Sequence, residues 1–233
     1  MAKIRLRDFF NYYVGTDEQR EAVALLEAAM APELLQDSSP WVMKFREQPE
    51  PTPAATGEQL VTLEQLAAIW ECAPSLIKPA EIDEMNACLR RFEITTRDRI
   101  KHFLSQTAHE SGGGKWKKEL ADGTAYEGRS DLGNTEPGDG PKFKGAGYIQ
   151  LTGRYWATRL SEAVNDPKCV EVGCDHIAEA WPFTSAGLWW QWNSMNALCD
   201  QGADCLAVTK RVNGGVNGLA DRQHYLEICE RVL

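Results

Sequence analysis

The sequence predicts a mainly helical protein whose principal domain has two lobes with a loop-rich cleft between them, preceded by a small helical module. Three observations predict it. Apolar residues recur at helical spacing on both sides of residues 115–147, and that stretch is itself rich in Gly, Asp, Asn and Pro. The run from Glu47 to Gly57 carries prolines at alternate positions and no large apolar side chain, the composition of an extended, semi-rigid linker. A chain of 233 residues holds one well-buried domain and a small extra unit. The expected boundaries are therefore a module at 1–46, a linker at 47–59 and the main domain at 60–233.

In the module, Thr16-x-x-Gln19 is a capping box that opens a helix with Ala22, Leu25, Leu26, Ala29 and Met30 on one face, ended by Pro32. Its aromatics, Phe9, Phe10, Tyr12, Tyr13, Trp41 and Phe45, are needed for so small a core; the functional alternative is a sugar-stacking platform. After the linker, Thr62-x-x-Gln65 is a second capping box, opening a helix through Leu63, Leu66, Ala67 and Trp70. Another helix passes through Met85 and Leu89 to about Arg91. The next begins near Thr96, sets Ile100, Phe103, Leu104, Thr107 and Ala108 on one face, and runs into Glu110 before Gly112-Gly113-Gly114 stop it. Residues 115–147 read as loops with a short hairpin, and helices resume at 155–164, 177–193, 203–212 and 221–233.

Composition excludes several classes of function. The hydrophobic fraction is 43% and the charged fraction 25%, as in soluble globular proteins, and no run approaches the roughly 18–20 apolar residues of a membrane span. The basic N-terminus lacks the apolar core of a secretory signal, so the protein is expected to stay in the cytoplasm that makes it until something releases it. A net charge of −9 gives no counterion-release affinity for a phosphate backbone, which argues against nucleic acid. Lys115, Lys117, Lys118, Lys142 and Lys144 are read as solvated lysines, with a collar for an anionic polymer as the alternative. The seven cysteines contain no Cys-x-x-Cys and the four histidines are not read as a cluster with them, so most are expected to be free buried thiols and a metal site is only weakly supported. Cys169/Cys174 and Cys199/Cys205 are the pairs close enough in sequence to oxidise outside a reducing compartment.

Chemistry concentrates around Ala108–Gly114. Glu110 lies seven positions from Phe103, at the border of the apolar stripe, where partial desolvation favours the protonated form that a general acid needs. Acidic residues are unfavourable at a helix C-terminus, so a structural glutamate is an odd choice there. Cleaving a glycosidic bond requires a second carboxylate across it, roughly 6.5–9.5 Å away for inversion and about 5–5.5 Å for retention. Along a continuous helix Glu119 would stand roughly 13 Å away, but the glycine break lets the chain fold back. Glu127, between Tyr126 and Gly128, is the other candidate, and chemistry alone does not separate the two. Gln150 and Thr152 share a face if residues 148–152 are extended, and could hold a water and a sugar amide. Asn213–Gly218 is a tight glycine-rich loop that lines the cleft or caps the flanking helices; it lacks the Lys-Ser/Thr ending of a phosphate loop.

These motifs, in order His109-Glu110-Ser111-Gly112-Gly113, Glu119, Tyr126-Glu127-Gly128-Arg129, Leu132 to Gly140, Gly145-x-Gly147-Tyr148-Ile149-Gln150-Leu151-Thr152-Gly153-Arg154, and Val212 to Gly218 with Asp221-Arg222, resemble the family 19 glycoside hydrolases over about residues 60–233. That family includes chitinases and bacteriophage endolysins on an α+β lysozyme-like fold. The resemblance implies an inverting mechanism without metal or cofactor, with Glu110 as general acid and Glu119 as general base. It implies substrate-contacting or water-positioning roles for Gln150, Thr152 and Asn213 and a supporting role for Glu127; Tyr126, beside Glu127, is expected to contact substrate as well. Two positions depart from the pattern: Ala146 replaces a usual arginine, and Trp156 replaces a usual asparagine and could stack on a sugar ring instead. The resulting expectation is a monomeric endolysin that cuts the β-1,4 bonds of peptidoglycan. A chitinase acting on N-acetylglucosamine polymers is the alternative within the family, and a non-catalytic cell-wall-binding protein the alternative outside it.

Overall fold

The computed structural model describes residues 59–233; the helical module expected at 1–46 and the linker up to residue 58 lie outside the described residues. The fold is mostly helical. Helix α1 (Leu63–Ile69) starts where its capping box puts it: Thr62 Oγ1 accepts from the Gln65 N–H at 3.1 Å, and Gln65 Oε1 accepts from the Thr62 N–H at 2.8 Å. A 3₁₀ turn at Pro74–Leu76 leads to α2 (Pro79–Arg91), whose first-turn proline gives up an N–H that had no helical partner.

Helix α3 (Arg97–Ser111) is capped by Thr96 and ends on Gly112. Gly112, Gly113 and Gly114 all adopt positive φ, at 59°, 70° and 78°, a run that residues with a Cβ adopt only under strain. Contact adds a second reason: a Cβ on Gly114 would stand 2.6 Å from the Trp70 ring, and one on Gly113 2.8 Å from the Trp70 carbonyl oxygen. The glycines thus reverse the chain and let it lie against the end of α1.

From 115 to 153 the path is irregular, with 3₁₀ turns at Thr124–Tyr126 and Ser130–Leu132 and a single helical turn, α4 (Asp139–Lys142). The hairpin is reduced to isolated antiparallel bridges, Lys118 with Ala146 and Ala146 with Leu151. Because Ala146 and Leu151 exchange both backbone hydrogen bonds, at 3.0 and 2.8 Å, residues 147–150 must form the turn between them. Gln150 accordingly has φ +56°, so the extended segment expected over 148–152 is not formed.

The later helices are α5 (Arg154–Val164), α6 (Lys168–Glu171), α7 (Cys174–Ala180), α8 (Pro182–Trp192), α9 (Met195–Asp200), α10 (Cys205–Asn213) and α11 (Leu219–Val232). The single helix expected at 177–193 is two, because Pro182 cannot donate to the preceding turn and its ring clashes with the carbonyl four residues back. The new N-terminus of α8 is capped from another helix: Glu84 of α2 accepts from the Phe183 N–H at 2.9 Å and the Thr184 N–H at 2.6 Å. A carboxylate there also meets the positive end of the helix dipole.

Two hydrophobic clusters mark the two lobes. The larger gathers α1, α2, α3, α8 and α11 around Phe103, Phe183 and Trp190, all fully buried. In it Trp70 stacks on Phe183 at 5.9 Å, Tyr148 lies 4.4 Å from Phe183, and Phe103 meets the Trp190 edge at 5.3 Å. The smaller gathers Phe143, Ala146, Leu151, Leu160, Cys169 and Ile177. Tyr148 belongs to the first cluster while Ala146 and Leu151 belong to the second, so the 145–151 segment fastens one lobe to the other. All seven cysteines are free thiols, six of them buried. Among the described residues no helix is long and apolar enough to cross a membrane.

Candidate active site

Glu110 projects from the last turn of α3, its side chain 24% exposed. One feature of its surroundings is not visible in sequence: the Arg222 guanidinium of α11, 1% exposed, donates to Glu110 Oε1. Burial alone therefore does not describe this carboxyl, because a buried cation shares it. Arg222 is itself fixed by Gln106 Oε1 at 2.5 Å and by the Asn217 carbonyl at 3.4 Å. Oε2 of Glu110 has no protein donor among the described residues. Next to it, the His109 ring lies over Gly218, where a Cβ would stand 2.1 Å from the ring, and His109 Nδ1 is 2.6 Å from Asp221 Oδ2. The Gly214–Gly218 loop is thereby clamped beside the end of α3. Asn213 is the last residue of α10 rather than part of that loop, and its side chain is spent locally, accepting from the Gly215 N–H at 3.0 Å and donating to the Asn217 carbonyl at 3.5 Å.

Glu119 is held by loops. Tyr126 Oη donates to its Oε1 at 3.1 Å and the Gly145 N–H to its Oε2 at 3.1 Å, while its own N–H donates to the Gly145 carbonyl at 2.9 Å. Burial and the neighbouring Glu119 charge push the Tyr126 hydroxyl upward, which keeps it a donor at neutral pH. A chain of contacts fixes Tyr126 in turn. Its carbonyl accepts from Asn134 Nδ2 at 2.9 Å, and Asn134 Oδ1 accepts from the Arg154 N–H at 2.8 Å. Asp139, 1% exposed and held below the usual carboxylate range by the Arg154 guanidinium, closes that loop through the Thr135 and Glu136 amides. Asn134, Asp139 and Arg154 were legible only as parts of a motif; their role is to place Tyr126.

The remaining expected residues fall into three situations. Gln150 joins the Glu119 group, its Oε1 and Glu119 Oε2 both lying over Gly145, and its Nε2 donates to the Gly147 carbonyl at 3.0 Å. Thr152 does not project beside it, because the turn directs the Thr152 hydroxyl to the Gln150 carbonyl at 2.8 Å. Glu127 is exposed and clasps a loop, accepting from the Gly138 and Gly140 amides at 2.6 and 2.8 Å; it is not the partner of Arg129, which pairs with Asp131. Trp156 packs on the smaller core, edge-on to Tyr155 at 5.4 Å and Trp192 at 5.6 Å. Ala146 is 1% exposed in that core, so the site where an arginine is usual is an apolar one here.

The lysine collar is largely engaged in the fold: Lys117 pairs with Glu81 at 2.5 Å, Lys118 pairs with Asp175, and Lys144 donates to the Ala121 carbonyl at 2.6 Å. A cavity of about 190 Å³ is lined by Lys78, Glu81, Glu84, Lys117, Glu179 and Pro182, and neither Glu110 nor Glu119 borders it. The fold does bring a histidine to a cysteine, placing donor atoms of Asp166, Cys169 and His176 all within 4.8 Å of one another.

No protein-family profile matches the chain. Among solved structures it is similar to chitinase C from Streptomyces griseus HUT6037, with a TM-score of 0.58 at 16% identity over 77% of this chain and 79% of that one. It is similar also to a family GH19, class IV chitinase from Zea mays, with a TM-score of 0.56 at 18% identity over 75% and 94% of the two chains. A bacterial family 19 chitinase gives 0.55 at 16% identity over 73% and 95%. The helical lysozyme-like fold expected from the sequence is thus the fold this chain shares with those proteins.

Proposed function

We propose that the protein is a glycoside hydrolase that cleaves β-1,4 bonds between amino sugars by inversion, with Glu110 as general acid and Glu119 as general base. The observation that carries this reading is the pair of carboxylates flanking the Gly112–Gly114 reversal, each held through specific donors and each on a different support. Arg222 orients Glu110 through Oε1 and leaves Oε2 to carry the proton to the leaving oxygen. As that proton departs, negative charge develops on Glu110 beside a fixed guanidinium, which stabilises it without reorganisation. Glu119, receiving hydrogen bonds from Tyr126 and the Gly145 amide, is held in place to take a proton from water attacking the opposite face of the sugar. Neither step calls on a metal or cofactor.

The preferred substrate in this reading is peptidoglycan, and the role that of an endolysin held in a host cytoplasm until it reaches the wall. The motif resemblance spanning Glu110 to Arg222 supports it. Chitin is the second reading, favoured by the solved neighbours, which are chitinases. Purified protein should lower the turbidity of outer-membrane-permeabilised Gram-negative cells more than it hydrolyses glycol chitin, assayed side by side. Activity on glycol chitin alone would reverse that order, and full lytic activity in Glu110→Gln would end the assignment.

A further inference from the structure

We propose that Asp166, Cys169 and His176 form a zinc site in the smaller lobe. The three come from separate pieces of a short segment: Asp166 from the turn after α5, Cys169 from α6 and His176 from α7. A thiol, an imidazole and a carboxylate are a donor set suited to Zn²⁺ rather than to Mg²⁺ or Ca²⁺, which prefer oxygen alone.

The carboxylate is already oriented as a ligand. The Lys168 N–H donates to Asp166 Oδ1 at 3.1 Å, and the Trp181 indole N–H donates to Oδ2 at 2.9 Å. Such outer hydrogen bonds are what fix metal-binding carboxylates in place. His176 Nε2 lies 2.6 Å from the same Oδ2, and Cys169 is fully buried beneath the pair. In a tetrahedral zinc site neighbouring donors stand roughly 3.3–3.7 Å apart. The His176–Asp166 contact must therefore open by about an ångström and the longest separation close by a similar amount. Rotation of partly exposed side chains allows this, since those of Asp166 and His176 are each 20% exposed. The same exposure leaves solvent access for water as the fourth ligand. On binding, the Cys169 thiol gives its proton to solvent, and His176 presents Nε2 as the neutral tautomer protonated on Nδ1. A bound ion would tie the α5–α6 turn to α7.

Cobalt(II) titration of the reduced, chelator-treated full chain tests this. A single equivalent should produce a thiolate-to-cobalt charge-transfer band in the near ultraviolet with the intense visible bands of a tetrahedral ion. Cys169→Ser and His176→Ala should lose the thiolate band or its tetrahedral pattern, whereas Cys72→Ser and Cys205→Ser keep both. Zinc should raise the Tm of the unsubstituted chain and of Cys72→Ser, and leave that of Cys169→Ser unchanged. The absence of a thiolate band at one equivalent in the folded, unsubstituted chain overturns the proposal, as does a full band in Cys169→Ser. Should Cys169→Ser fail to fold, Asp166→Asn and the titration of the unsubstituted chain still decide.

Discussion

Glu110 and Glu119 stand nine residues apart, and the protein holds them by opposite means. Glu110 sits on a long helix packed into the larger core, and its hydrogen-bond partner is a buried guanidinium from α11. Glu119 sits on a loop, and its partners are one tyrosine hydroxyl and one backbone amide. The first arrangement couples the site to global stability; the second leaves it to local loop geometry. Substitutions of the groups that hold the two carboxylates should therefore fail differently, in folding on one side and in turnover on the other.

The largest effect is expected from the carboxylates themselves. Glu110→Gln or Glu119→Gln should lower kcat by about 10²–10⁴ in the wall-lysis assay, with circular dichroism unchanged. Arg222→Ala should cost about 3–5 kcal/mol of stability, read by denaturant unfolding, because it leaves Glu110 without its cation and empties a fully buried volume. If Arg222→Ala instead kept its stability and lost only activity, the contrast between the two sides would break. Gly114→Ala should cost about 2–3 kcal/mol, since it joins a left-handed backbone to a clash with the Trp70 ring.

A pH scan sharpens the picture of the larger lobe. Burial pushes the Glu84 carboxyl from 4.5 up to about 7, against the lowering effect of the Thr184 and Phe183 donors. The native state thus binds a proton that the unfolded chain has released, so this contribution is present below about pH 4.5 and lost as the pH rises through about 7. Stability should fall by about 2–3 kcal/mol between about pH 5 and 8 on this account, and Glu84→Gln should flatten that slope in thermal melts. The smallest effect belongs to the loop side. Tyr126→Phe should change stability by less than about 1 kcal/mol and lower kcat by about tenfold with KM nearly unchanged, because it removes one hydrogen bond that positions Glu119, the proposed base.

Local signals carried most of the larger lobe. Thr62, Thr96 and the three glycines specify where α1 and α3 begin and where α3 ends, and the structure agrees with each to within a residue or two. The error at 177–193 was also local, since Pro182 stands in the middle of the expected helix; what sequence could not show is that Glu84 accepts the amides the break exposes. The turn at 147–150 leaves no periodic signal because two bridges, not side-chain alternation, decide it. At the site, the two carboxylates were legible and their partners were not. Arg222 reaches Glu110 across 112 residues, and Asn134 reaches Tyr126 through a backbone carbonyl that any side chain would present. The Asp166, Cys169 and His176 grouping did have a signal: all three lie within eleven consecutive residues, a spacing that short helices readily close.

The reach from Arg222 to Glu110 also orders events in time. Helix α3 needs only its own residues to form, but its guanidinium partner arrives after a 112-residue loop has closed, at an entropic cost of about 4 kcal/mol. In a refolding experiment the helical signal can return while Glu110 is still unaccompanied. The pairing of this carboxylate is then a late event, set by the docking of α11 rather than by the helix on which Glu110 sits.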